Sequence, residues 1–183
     1  ILPIFDMPQS GTLVKQWKAM KVPAIMAGFI SPAVGPAAWN TFDKKIGGMI
    51  NCVFEIGSIP SQKYAPAAKF YQAYEKKFGK PIEAGHGPAP AYASVYLLKE
   101  AIEKAGSADA DAIVKALQAA DTAAVMGRVK FTDGHQVVYG KDPQKEALGC
   151  VFQWTEDGKR VIVFPPAIAE GKIQLPSWMK SKK

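Results

Sequence analysis

The stretch Tyr64 to Gly106, YAPAAKFYQAYEKKFGKPIEAGHGPAPAYASVYLLKEAIEKAG, encodes two helices together with their stops. Tyr64, Ala67, Tyr71, Tyr74 and Phe78 recur at steps of three and four residues and so share one helical face. Gly79 and Pro81 then end that helix. The next helix is predicted to begin near Pro90, to turn Ala91, Val95, Leu98 and Ile102 inward, and to end at Gly106. Ser107 is expected to cap a third helix that holds Ile113 and Leu117. Its first turn carries Asp109 and Asp111, where the helix dipole favours acids.

Upstream of this block, the apolar run Ile1 to Phe5 is followed by Ser10, read as an N-cap, and by a face of Leu13, Val14, Trp17 and Met20. A second apolar run, Ala24 to Ala27, comes directly after Pro23. Strand, helix and strand within about 30 residues make a βαβ unit and imply a parallel sheet. Gly48 to Phe54 is a third strand candidate. Downstream of Val125 the pattern changes to period two. GRVKF and QVVY flank the turn Thr132 to His135, and CVFQW and RVIVF flank Asp157 and Gly158, so both pairs read as hairpins. Residues 166 to 183 read as an extended C-terminal tail strapped over the surface. The order of elements belongs to the α/β class.

Composition fits globular material: 48% of the 183 residues are hydrophobic and 21% charged, enough for one domain with a core or two small ones. No apolar run reaches the roughly 18 residues that cross a bilayer. The net charge of +7 rests almost wholly on dispersed lysines; Arg128 and Arg160 are the two arginines, and the one local concentration is Lys180, Lys182 and Lys183. That pattern argues against nucleic acid as a partner. Cys52 and Cys150 have neither a CxxC partner nor a histidine at metal-ligand spacing, so zinc is excluded. They read as two buried thiols, with a disulfide between neighbouring strands as the alternative.

The signatures GxSxG, HExxH, the P-loop and the kinase set are missing from the sequence, and no catalytic residues and no cofactor are assigned. Ligands of open parallel sheets bind beyond the carboxyl ends of the strands. That rule nominates Asp6 and Met7, then Phe29, Ile30 and Ser31, then Glu55. Asp6 and Glu55 suit a cationic or hydroxyl group, Ser31 a carboxylate, and Phe29 or Trp39 an apolar body. Ser10 and Ser31 also fit plain helix caps, and Asp6 fits both roles. Of the two histidines, His135 lies in a hairpin turn and reads as solvated. His86 precedes a helix N-terminus and is weighed as a site residue against a structural loop role.

The segments GTLVKQWKAMKVP, KFYQAYEKKFGKPI, AYASVYLLKEAIEKAGS, MGRVKFTDG and VFQWTEDGK, in this order and spacing, resemble the C-terminal half of type I periplasmic binding proteins of the Leu/Ile/Val-binding kind. The resemblance covers nearly the whole chain. It implies two Rossmann-like lobes with parallel sheets flanked by helices, joined by three crossovers and closing on a ligand. Residues 1 to 54 and 147 to 165 would be pieces of the second lobe, and residues 60 to 140 a piece of the first. The strands that open each lobe's sheet lie outside this sequence. The expectation is therefore a fragment of a longer protein, or an assembly in which the missing N-terminal half or a swapped copy completes the sheets.

By the same resemblance, the second-lobe ligand contacts fall at Asp6 and Ile30, where amino-acid binders place an aromatic and an acid. An aliphatic or aromatic carboxylate, or an amide, then joins the branched-chain and hydrophobic amino acids as a ligand class, unless Asp6 or Glu55 supplies the missing acid. The implied function is that of an extracytoplasmic solute-binding subunit that delivers a small molecule to an ABC permease. It would be periplasmic, or membrane-anchored outside a Gram-positive cell. A sensor ectodomain of the same fold is the alternative, and a hydrolase using Asp6, Glu55 and His86 is a third reading. Under the resemblance the tyrosine stripe of the opening stretch is core, and function rests on the strand-end loops.

Overall fold

The computed structural model describes residues 1 to 59 and 61 to 179; Lys180, Lys182 and Lys183 of the predicted tail lie outside the described residues. The first three strands are β1 (Ile4–Phe5), β2 (Ala27–Ile30) and β3 (Ile50–Val53). They run parallel, with Ile4 beside Phe29 and Ala27 beside Ile50. Helix α1 (Ser10–Ala19) connects β1 to β2, as a βαβ unit requires. The strand after Pro23 begins three residues later than the apolar run suggested, because Trp17 Nε1 donates to the carbonyl of Ala24 and holds that segment in a turn. Two further strands, β6 (Cys150–Trp154) and β7 (Arg160–Phe164), complete a sheet of order β1-β2-β3-β6-β7. They form the predicted hairpin and join antiparallel to β3, which makes the sheet mixed.

One face of this sheet carries the main core. Ile30, Val53, Cys150, Phe152 and Ile162 point into it and meet Val14 and Trp17 of α1, together with Phe42, Ile46 and Met49 from the segment around the short helix α2 (Ala38–Thr41). Gly11 lets α1 approach Phe42, since a Cβ there would lie 2.9 Å from the ring. The opposite face shows Ile4, Phe54 and Phe164, at 72%, 50% and 44% exposure. Strand alternation puts Phe29 and Cys52 on that open side as well.

The helical region comprises α3 (Ala65–Phe78), α4 (Pro88–Ala105), α5 (Ala110–Gln118) and a small hairpin of β4 (Asp121–Ala124) with β5 (Gly127–Lys130). Gly79 and Gly106 take left-handed conformations and end α3 and α4, as the sequence implied. The stripe on α3 is buried at Tyr64, Ala67 and Tyr71 and runs out to an exposed Phe78.

Helix α4 buries a different face from the predicted one. Ala89, Ala93, Leu97 and Ala101 are inside, while Ala91, Val95, Leu98 and Ile102 are exposed. Small residues win because alanines let α4 sit close to Val125, Met126 and Val129, while Val95, Leu98 and Ile102 keep 67%, 46% and 39% of their surface exposed. Three smaller expectations also change. Met20 closes α1 exposed to solvent. Ser10 is the first helical residue, with its hydroxyl donating to the Met7 carbonyl at 2.7 Å. Asp109, rather than Ser107, caps α5 by accepting from the Ala112 N–H at 3.0 Å.

The two regions are tied by specific polar contacts. The Leu148 N–H, just before β6, donates to the Met126 carbonyl of the β4-β5 turn at 2.8 Å. The Arg160 guanidinium on β7 donates to the Val34 carbonyl and to the Tyr71 hydroxyl. The tail crosses the sheet region as an irregular strap. The Gln153 side chain donates to the Gln174 carbonyl and accepts from the Gln174 N–H, both at 2.8 Å, and Trp178 donates to the Val22 carbonyl.

Candidate functional site

The parallel strands β1, β2 and β3 end side by side, so Asp6, Ser31 and Glu55 follow on one edge of the sheet. With neighbouring strands about 4.8 Å apart, the three exits span about 10 Å. Asp6 and Met7 are exposed in the loop before α1. Ser31 is half-buried and opens a single 3-10 turn, where its side chain makes no capping bond.

Ile30 is fully buried, because strand alternation turns it into the core opposite to Phe29. Its main chain is held by Asn51. The Asn51 carbonyl oxygen accepts from the Ile30 N–H at 2.9 Å, and its amide donates to the Ile30 carbonyl at 2.8 Å. Asn51 is itself wholly buried, so this pair fixes the end of β2 where the chain turns into the site.

Phe29 stacks on Phe54 with ring centroids 4.8 Å apart and planes 27° from parallel. The His86 ring reaches both from the loop before α4, at 6.3 Å from Phe29 and 6.0 Å from Phe54. Three segments distant in sequence thus build one aromatic wall. Trp39 is elsewhere: it stacks on Trp154 and lies against Gly158 of the β6-β7 turn. Its place as an apolar cover falls to Phe54, the last residue of the strand predicted over Gly48 to Phe54. Period-two alternation held the clue, since Phe54 shares the face of Cys52 and extends one residue beyond the paired strand.

Glu55 follows directly. One of its carboxylate oxygens, Oε2, is buried without a hydrogen-bond partner. Burial pushes the Glu55 carboxyl above its ordinary range, and the charge of His86 pulls in the other direction. Tyr139 lies nearby, with its phenol raised by burial first and by the Glu55 charge second. Tyr139 and Phe54 line a hollow of about 500 Å³ on the open face of the sheet, together with Cys52, Val151 and Phe164.

Both cysteines are free thiols. Cys52 pairs with Val151 and Cys150 with Val53, so their side chains leave opposite faces of the sheet. Burial pushes the Cys150 thiol up to about 12. His135 sits exposed in its turn with a positive φ of 59°. Among the described residues, no group of three or more His, Cys, Asp or Glu side chains is arranged to hold a metal ion, and no helix is long and apolar enough to cross a membrane.

A mixed α/β sheet with a site at its parallel strand ends defines a class, and the comparisons identify it. The family model described as periplasmic binding protein matches residues 1 to 157, and the chain belongs to that family. It is 32% identical over 108 residues to the Leu/Ile/Val-binding protein homolog 7 of Brucella suis, an alignment spanning 59% of this chain and 26% of that protein. Its fold is similar to the crystal structure of a putative branched-chain amino acid ABC transporter from Silicibacter pomeroyi. There the TM-score is 0.79 at 17% identity, with 98% of this chain and 47% of the other covered. A Rhodopseudomonas palustris solute-binding protein in complex with benzoate superposes with a TM-score of 0.65 at 14% identity, covering 100% of this chain and 46% of that one. The chain thus spans less than half the length of these solved relatives and about a quarter of the curated one.

Proposed function

We propose that this chain is the ligand-closing part of an extracytoplasmic solute-binding protein that serves an ABC importer. Residues 1 to 54 and 147 to 165 are assigned to one lobe, residues 60 to 140 to the other, and residues 166 to 183 to a C-terminal strap. The ligand is a small apolar molecule, either a branched-chain or hydrophobic amino acid or a related carboxylate or amide. It is held between the lobes and released to a membrane permease, and the protein carries out no chemistry on it. Asp6, Met7, Ser31 and Glu55 offer polar contacts, Phe29, Phe54 and His86 an apolar wall, and Ile30 a rigid floor beneath them. Periplasmic location follows from the same reading.

One observation carries this proposal. The wall joins the ends of β2 and β3 to the loop that leads into α4, so a molecule resting on it touches both regions of the chain at once. Binding there would draw the regions together. The test is a thermal-shift screen of the protein in its full natural length against amino acids, aromatic acids and amides. A ligand present at 100 times its Kd adds about 2.7 kcal/mol to stability, which appears as a clear rise in Tm. A flat response across all three classes would overturn the proposal.

A further inference from the structure

We propose that the C-terminal strap acts as a stay on the connector between the two regions, and so limits how far the helical region swings away from the sheet. The inference rests on the solute-binding reading above insofar as that swing is the opening of the cleft. The connector leaves β3 at Val53 and enters α3 at Ala65. Ile56 and Ile59 are buried in the main core, and the Ile56 N–H donates to the Leu148 carbonyl at 2.9 Å. Beyond them the connector's own side chains do little to hold it. Ser58 and Ser61 are fully buried, and among the described residues neither hydroxyl has a hydrogen-bond partner, which makes this path costly.

The strap supplies the outside restraint. Its start is seated in the core by Ile168, and the Glu170 N–H donates to the Ile162 carbonyl of β7 at 2.8 Å. From that seat it reaches the last residues of the connector. The Glu170 carboxylate accepts from the Gln62 N–H at 2.8 Å, and the Lys63 ammonium donates to the Ala169 carbonyl. The far end of the strap is fixed as well. Gln153 holds Gln174 by two hydrogen bonds, and Trp178 packs on Trp17 at 5.0 Å with the Lys18 ammonium 4.8 Å from its ring. A segment fastened to the sheet at both ends thus grips the residues that lead into α3, and α3 carries the helical region with it. One bond reports that movement from a distance: the Ala37 N–H, beside the sheet, donates to the Glu83 carboxylate of the helical region at 3.1 Å. An outward swing breaks it.

The experiment is amide-resolved hydrogen exchange on the unliganded protein in its full natural length, comparing wild type with Glu170→Ala and Glu170→Gln. Glu170→Ala should speed exchange about fivefold at Gln62 and, away from the strap, at Ala37, as the loss of one hydrogen bond allows. Amides of β3 and β6 should exchange as before, since the sheet itself is untouched. Glu170→Gln keeps an acceptor for the Gln62 N–H and should stay within about twofold of wild type at both positions. Faster exchange at Gln62 alone overturns the inference, because the contact then fastens only a loop. Unchanged exchange at both amides overturns it too, as does an equal acceleration throughout the sheet, which would make the strap a general support of the fold. The measurement uses no ligand, so any of these failures leaves the solute-binding reading standing, and a flat ligand screen leaves the exchange result intact.

Discussion

The sheet region and the helical region solve the burial problem differently. Around the sheet, 21 buried apolar residues among those described form one cluster, which takes in Tyr64 and Ala67 at the start of α3 and has Trp17, Trp154, Phe42 and Phe152 among its largest side chains. The separate cluster beneath α4 and the β4-β5 hairpin has seven among the described residues, mostly small, and α5 buries none of its residues. Sequence hydrophobicity does not explain the contrast, for α4 carries two apolar stripes and buries only the one built mostly of alanine. A sheet supplies a broad surface for a helix to cover, whereas helices resting on a two-strand hairpin keep much of their apolar area outside. Tyr92, Val95, Tyr96, Leu98 and Ile102 form such an uncovered face.

Substitutions can break or sharpen this contrast. The largest effect is expected for Trp154→Ala, since Trp154 is 1% exposed and its indole donates to the Ala33 carbonyl at 2.8 Å. A loss of about 3–5 kcal/mol should appear in urea unfolding. Asn51→Ala should follow at about 2–4 kcal/mol, because it leaves the Ile30 N–H and carbonyl without partners inside the sheet; the same unfolding curve measures it. Leu97→Ala, in the thinner core, should cost about 2 kcal/mol. A loss as large as that of Trp154→Ala would show that the helical region is packed as firmly as the sheet.

Glu55 gives a smaller effect that depends on pH. Its folded pKa is raised, so its share of stability is fully present below the ordinary carboxylate value and is lost as pH rises through the raised one. Melting temperatures taken across that window should fall more steeply for wild type than for Glu55→Gln; parallel profiles would count against burial as the cause. Val95→Ser should change stability least, within about 0.5 kcal/mol, because its side chain meets solvent. A cost of several kcal/mol in a longer form of the protein would instead locate a partner surface on that face of α4.

These tests bear on what could be read in advance. The parallel start, the β6-β7 hairpin and the glycine stops were legible because each rests on local chemistry, on a period or on a turn residue. The inward face of α4 was not. Two apolar stripes run along the helix, and only packing decides that Ala93 and Leu97 go in while Val95 and Leu98 stay out. At the site, Asp6, Ser31 and Glu55 follow from the strand-end rule, and the structure sets them on a common edge. The stacking of Phe29, Phe54 and His86 joins three distant segments, and no local pattern announces it. Asn51 was hidden for the same reason, as a polar residue inside an apolar strand whose partner lies 21 residues away.

The chain's four tryptophans fall into two pairs, Trp17 with Trp178 at 5.0 Å and Trp39 with Trp154 at 6.2 Å. Every indole therefore belongs to the sheet or to the strap latched across it, and the helical region carries only phenylalanine and tyrosine. Intrinsic tryptophan emission will follow one half of the molecule and be blind to the other. If α4 and α5 melt early, the fluorescence trace will stay flat while far-ultraviolet ellipticity falls, and the gap between the two curves measures how independently the halves unfold.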